Sequence, residues 1–285
     1  MNEKIIARAN AKIDVNDFLK LTKLYKDYVW LEYEPQALFE LWSLSDNNEQ
    51  KSLLESLINN FSFIDSNKLR AAGYLIANHI EKVWNFNSSN TYLSATCDDS
   101  KPDGSQSLIQ SLKNKFSITW KENNFFNSLP VAANNIGDNN NLILVDDFIG
   151  TGDTIIRKLQ YLKNTLIERD INGTTIKIVS LATMNFAKDS LNNLGIDYYS
   201  TLWLKKGISE LVNEEIRDVA INSMTQLEDK LKKNSNGRRM PNFGYKRSEA
   251  LFALEAYNVP NNVFPVFWWP YLKDGILRRT IFNRI

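Results

Sequence analysis

Leu142–Thr154 reads LILVDDFIGTGDT. An unbroken apolar run of this kind predicts a strand buried on both faces, as in a parallel sheet. Such a strand delivers Asp146 and Asp147 to the carboxyl edge of the sheet, where open α/β sheets bind ligands. The turn Gly150–Thr154 then opens a helix, whose free N–H groups and positive dipole end form an anion site. Gly150 and Gly152 let the backbone approach an anion closely, and Thr151 and Thr154 add hydroxyl donors. Carboxylates repel phosphate, so the two acids are expected to face ribose hydroxyls or a Mg²⁺ ion. Phosphate on one side and a sugar diol on the other describe a ribose 5-phosphate. The plainer alternative is a strand end whose acids only cap the next turn.

Outward from this stretch, strands and helices alternate. Thr91–Cys97 (TYLSATC) is β-branched and aromatic, and the polar loop Asp98–Gln106 (DDSKPDGSQ) precedes a helical SLIQSLKNKF. After an irregular stretch around Pro130 and the turn-rich tract Asn134–Asn141 comes the deciding strand. IIRKLQYLKNTLIERD follows as an amphipathic helix, Thr175–Phe186 as another buried strand, a short helix closed by Gly195, and DYYSTLWL as a further strand. This order implies an α/β core with a parallel sheet over residues 89–207.

Residues 1–88 read as a helical region. Asp14 or Asn16 is placed to cap a helix carrying Phe18, Leu19, Leu21, Leu24 and Tyr25 at amphipathic spacing, Glu49–Asn60 repeats the amphipathic period, and Ser66 is placed to cap a helix running to Trp84. Residues 208–285 are expected to open with one long helix from Ile208 to Lys233 and to end in an irregular, basic segment. From Lys230 onward there are eleven Lys and Arg against three acids. The whole chain nonetheless carries a net charge of only +1, which excludes a globally basic nucleic-acid coat. One Cys excludes an intrachain disulfide, and one His makes His-based metal or triad chemistry a poor fit. His79 is expected to be a packed or surface residue. No apolar run approaches the roughly 18 residues of a membrane helix, and the first residues lack a signal-peptide core, so a cytoplasmic location is expected.

The strand, the paired acids and the Thr/Gly loop resemble the signature of type I phosphoribosyltransferases. The resemblance implies a phosphoribosyltransferase-like (Rossmann-like) core, with Asp146 and Asp147 on the ribose hydroxyls of phosphoribosyl pyrophosphate (PRPP). Thr151, Gly152, Asp153 and Thr154 would hold the 5-phosphate. Mg²⁺ would be the cofactor, held mainly through ligand phosphates and supplemented by Asp146. Phe148 is bulkier than the usual residue of the pattern, and Gly150 replaces a small hydroxyl or aliphatic residue. The loop after Thr91–Cys97, with Lys101, Gly104 and Ser105, is the candidate pyrophosphate loop. No basic flexible-loop motif stands out, which leaves turnover open.

NVPNNVFPVFWWP (Asn258–Pro270), with Phe243-Gly244-Tyr245 upstream, resembles the ending of phosphoribosyltransferase-like proteins of bacterial conflict (anti-phage) systems. It implies a small C-terminal hood, with Asn261, Asn262 and Trp268 as base contacts. Arg238 and Arg239, beside NSNG, read either as a phosphate clamp or as a solvated pair. The expectation is a ribose-phosphate-binding defence effector acting in ribosyl transfer or nucleotide consumption. The alternatives are a non-catalytic nucleotide sensor, a subunit of a retron-type ribonucleoprotein complex that meets nucleic acid or a partner protein through the basic C-terminal region, and a nucleotide-salvage enzyme.

Overall fold

A computed structural model describes residues 14–98, 104–235 and 237–284. The described residues divide into two compact units, one within 64–206 and 254–257, the other within 1–63, 207–253 and 258–285.

The first unit is built on a five-stranded sheet. Its strands are β1 (Thr91–Ala95), β2 (Phe125–Phe126), β3 (Asn141–Ile149), β4 (Thr175–Met184) and β5 (Tyr198–Leu204), in the order β2-β1-β3-β4-β5. Every pairing is parallel. The helices of this unit are α4 (Ser66–Asn78), α5 (Gly104–Leu112), α6 (Leu129–Asn135), α7 (Asp153–Glu168) and α8 (Lys188–Asn192). Leu142, Leu144 and Ile178 pack with Leu159, Leu162 and Leu166 of α7 in one continuous core. The α/β expectation is therefore met.

Several boundaries differ from the sequence expectation, each for a local reason. The acids do not end their strand, because β3 keeps pairing with β4 through Ile149↔Thr183 while the ladder to β1 stops at Val145. The stretch around Pro130 is helical, since Pro sits in the first turn of α6, where its missing N–H costs nothing. Ser66 is the first residue of α4, and the cap is Asp65, which accepts the N–H groups of Asn67 and Lys68. That helix does not run on regularly to Trp84: it passes into a π-helical turn over His79–Val83.

The second unit holds α1 (Val15–Asp27), α2 (Pro35–Trp42), α3 (Asn48–Asn59) and α9 (Glu214–Asp229), with a short hairpin of β6 (Asn234–Ser235) and β7 (Arg238–Arg239). Asp14 caps α1 by accepting the Asp17 N–H at 2.8 Å. The long helix expected from Ile208 begins only at Glu214. The buried Glu249 carboxylate takes the N–H groups of Ile208 and Ser209 and the Ser209 hydroxyl, fixing a turn there instead.

Glu228 of α9 is fully buried and accepts the Phe243 N–H at 3.0 Å. Burial pushes its carboxyl from 4.5 up to about 8, although the Phe243 N–H, Lys233 and Arg247 oppose the rise. The folded chain thus holds a proton that the unfolded chain releases between those values. The associated stability is full below 4.5 and lost as pH rises through about 8. Glu228→Gln should flatten that slope, read as the difference in urea midpoint between pH of about 5 and about 8.

Candidate functional site

The site is set by β3 and the turn that follows it. Side chains alternate across a strand, so Asp146 falls on the face of Leu142 and Leu144, and Asp147 on the opposite one. Asp146 is buried, while Asp147 is half-buried. A Cβ built on Gly104, the first residue of α5, would lie 2.2 Å from Asp147 Oδ2. The second acid therefore meets Gly104 of the expected pyrophosphate loop, and only a glycine there leaves room for the carboxylate. Gly104→Ala should push Asp147 aside and weaken ribose-phosphate binding by about tenfold, the equivalent of one charge-assisted hydrogen bond. Calorimetric titration of the variant, with its circular dichroism unchanged, is the check.

Ser105 is buried, and its hydroxyl accepts the Cys97 N–H at 3.2 Å. It ties the end of β1 to α5. Lys101 lies outside the described residues.

Gly152 is the N-cap of α7 and takes φ 86°, a left-handed conformation that favours glycine. Behind it, the N–H groups of the first turn have no partners within the helix and face the loop. Thr151 Oγ1 donates to Asp153 Oδ2 at 2.8 Å and accepts the Asp153 N–H at 3.4 Å. Asp153 is thereby paired with Thr151 at the rim of the cradle. Thr154 is exposed.

At the carboxyl ends of the neighbouring strands stand residues that motif reasoning missed. Lys206, past β5, holds its ammonium 5.0 Å from the ring centre of Phe186, just past β4. Asn185 Oδ1 is buried with no hydrogen-bond partner among the described residues. An aromatic residue at the end of the apolar run Thr175–Phe186 was the available signal.

The candidate hood residues belong to the other unit. Asn262 is buried and donates to Ser248 Oγ at 3.1 Å. Trp268 is buried and donates to the Val263 carbonyl at 2.9 Å. Asn261 is half-buried, and its carbonyl accepts the Tyr245 N–H. The Asn262 and Trp268 side chains thus make these bonds within their own unit. Arg238 and Arg239 are exposed, whereas Arg278 is buried and donates to the carbonyls of Trp269 and Val266, so part of the basic segment is structural.

The PRTase-CE family matches residues 39–282. The chain belongs to the PRTase-CE family. Among solved structures it is similar to adenine phosphoribosyltransferase from Thermoanaerobacter pseudethanolicus, at 15% identity and TM-score 0.32 over 49% of this chain and 82% of that one. It is also similar to Mycobacterium tuberculosis orotate phosphoribosyltransferase in complex with PRPP, at 11% identity and TM-score 0.33 over 55% and 90%. Helicobacter pylori xanthine-guanine-hypoxanthine phosphoribosyltransferase matches at 14% identity and TM-score 0.33 over 50% and 86%. No curated protein matches the chain. The core is phosphoribosyltransferase-like on the family match and on its own parallel sheet. No helix among the described residues is long and apolar enough to cross a membrane.

Proposed function

We propose that this PRTase-CE protein binds a ribose 5-phosphate ligand, PRPP or a nucleotide, at the carboxyl edge of its sheet. One observation carries the proposal: Asp147 is held against the glycine that opens α5, on the same strand that leads into the α7 cradle. The first-turn N–H groups of α7 hold the 5-phosphate, with Gly152 allowing close approach. Asp146 and Asp147 accept from the ribose hydroxyls and place negative charge beside C1, where ribosyl transfer develops positive charge. Phe186 and Lys206 stand on neighbouring strand ends, where a base attached to that ribose would lie.

Among the described residues no group of three or more His, Cys, Asp or Glu side chains is placed to cage a metal. The two hard carboxylates do fit a Mg²⁺ carried on the ligand's own phosphate oxygens, with Asp146 as a supplementary donor. Such an ion supplies charge neutralisation for a departing pyrophosphate.

A second role, nucleotide sensing without turnover, is favoured by the start of α5. There the Asp147 carboxylate lies in the space a side chain at Gly104 would fill, and the Ser105 oxygen already accepts the Cys97 N–H. The resemblance of the C-terminal segment supports a role as an effector in bacterial anti-phage defence, with its exposed arginines available to nucleic acid or a partner protein. Titration of PRPP with Mg²⁺ by calorimetry, with pyrophosphate followed in the same sample, tests the proposal. Saturable heat is expected; pyrophosphate release marks an enzyme, and its absence marks a sensor. No heat at millimolar PRPP rejects the ribose-phosphate site.

A further inference from the structure

A second cleft lies away from the phosphate cradle, at the amino end of the edge strand β5. Its volume is about 460 Å³, within the range of small-molecule sites. His79, Trp84 and Tyr198 give it aromatic walls, and Asn192 and Asp197 are its polar lining. The wall is shaped by the π-helical turn His79–Val83, in which the Trp84 N–H donates to the His79 carbonyl five residues back. Such single turns break the helical ladder and recur at functional sites. Here the turn brings the two rings edge to face, 4.8 Å apart at 82°. His79 is also stacked on Tyr199 at 3.8 Å and 9°, which fixes its plane.

The polar groups of the cleft are set out as donors and acceptors. No hydrogen bond involves the His79 imidazole among the described residues, so both ring nitrogens are available. Burial, and secondarily the Lys177 charge, hold its pKa below the ordinary value. At neutral pH it therefore presents one donor and one acceptor. Asn192 Oδ1 accepts the Tyr198 hydroxyl at 2.9 Å, which leaves the amide nitrogen as a donor. Asp197 pairs with Lys177 through Oδ2 at 2.7 Å, and its side chain is 68% exposed, which leaves Oδ1 as an acceptor. Lys177 is held by that pair and lies 4.8 Å over the Trp84 ring. Among the described residues that line the cleft there is a carboxylate and no Lys or Arg, which favours a neutral ligand over a phosphate.

The geometry points to a neutral nucleobase or nucleoside bearing an exocyclic amine as the ligand of this cleft, packed against its aromatic wall on the side of Trp84 that Lys177 does not cover, with its amine on Asp197 Oδ1. This inference does not rest on the ribose-phosphate proposal, and the two sites are separable by ligand.

His79 is the sole histidine, so its ring resonance in full-length, histidine-labelled protein reports on this cleft alone. Titration with adenosine, inosine, AMP and PRPP is the test. Adenosine should shift the resonance saturably, inosine and AMP should bind more weakly, and PRPP should leave the resonance in place. Trp84→Ala should weaken adenosine about tenfold or more, the usual loss when a base loses its aromatic platform. Asp197→Asn, at an exposed position, should abolish the preference for adenosine over inosine and decides the matter if Trp84→Ala does not fold. An unmoved His79 resonance at millimolar adenosine overturns the inference. So does an adenosine preference unchanged in Asp197→Asn.

Discussion

Asp146→Asn and Asp147→Asn are each expected to weaken PRPP binding by ten- to a hundredfold, and the double variant to remove measurable heat. The amide keeps the shape of the carboxylate and loses its charge. A hydrogen bond from a sugar hydroxyl to a charged acceptor is worth about 1.5–3 kcal/mol, and that difference sets the expected range. The two single variants should differ in stability. Asp147 lies against the first residue of α5, where a carboxylate complements the helix dipole, so its loss costs a further 0.3–1 kcal/mol or so. Asp146 is buried in β3 beside the α7 face, where an uncharged amide is tolerated more easily. Calorimetry paired with thermal melts separates the effects. Unaltered PRPP affinity in both variants would place the ligand elsewhere.

Gly244→Ala is expected to give the largest loss of stability. Gly244 has φ +78°, and a Cβ there would lie 1.9 Å from the backbone oxygen of Asn262 and 2.5 Å from its carbonyl carbon. A backbone cannot turn aside as a side chain does. With ψ 168° this positive φ lies in a region essentially reserved for glycine, at a cost of about 1–3 kcal/mol for a residue with a Cβ, and forced displacement in a packed interior adds about 1–3 kcal/mol. The melting temperature should therefore fall by something on the order of 10 °C. Gly275→Ala supplies the comparison, because Gly275 has a similar φ of +82° and nothing within 4 Å of its Cβ position. Its melting temperature should fall by less than half as much. Equal losses at the two glycines would mean that conformation, and not the contact with Asn262, governs Gly244.

This contact also explains why the C-terminal segment reads so distinctly in sequence. Phe243-Gly244-Tyr245 and Asn261-Asn262 are joined, with Tyr245 N–H on the Asn261 carbonyl and the Ser248 hydroxyl on that of Asn262. Asn, Gly and Trp at such positions suggest ligand contacts when only the chain is seen. The same residue types also satisfy the polar groups of a tight, irregular segment, as Asn262 does on Ser248 and Trp268 on the Val263 carbonyl.

The parallel sheet was legible because apolar runs such as Leu142–Val145 have few alternatives once helices separate them. The strand-to-helix turn was legible because Gly150–Thr154 combines glycine with hydroxyls directly after an apolar run. The proximity of Gly104 to Asp147 was not, since it depends on how far β3 extends beyond the end of β1. The π-turn was equally hidden: HIEKVW continues the apolar period of α4, and only packing selects the extra residue. The exposure of Phe18 and Leu19, 58% and 59%, likewise departs from their apolar character for a reason that periodicity does not carry.

The most direct test of the ribose-phosphate site is a crystal structure of the protein with ribose 5-phosphate. The 5-phosphate should sit on the N–H groups of Gly152–Thr154, with the ribose diol turned to Asp146 and Asp147. A phosphate bound at any other place, or a sugar with its hydroxyls away from both acids, would contradict it.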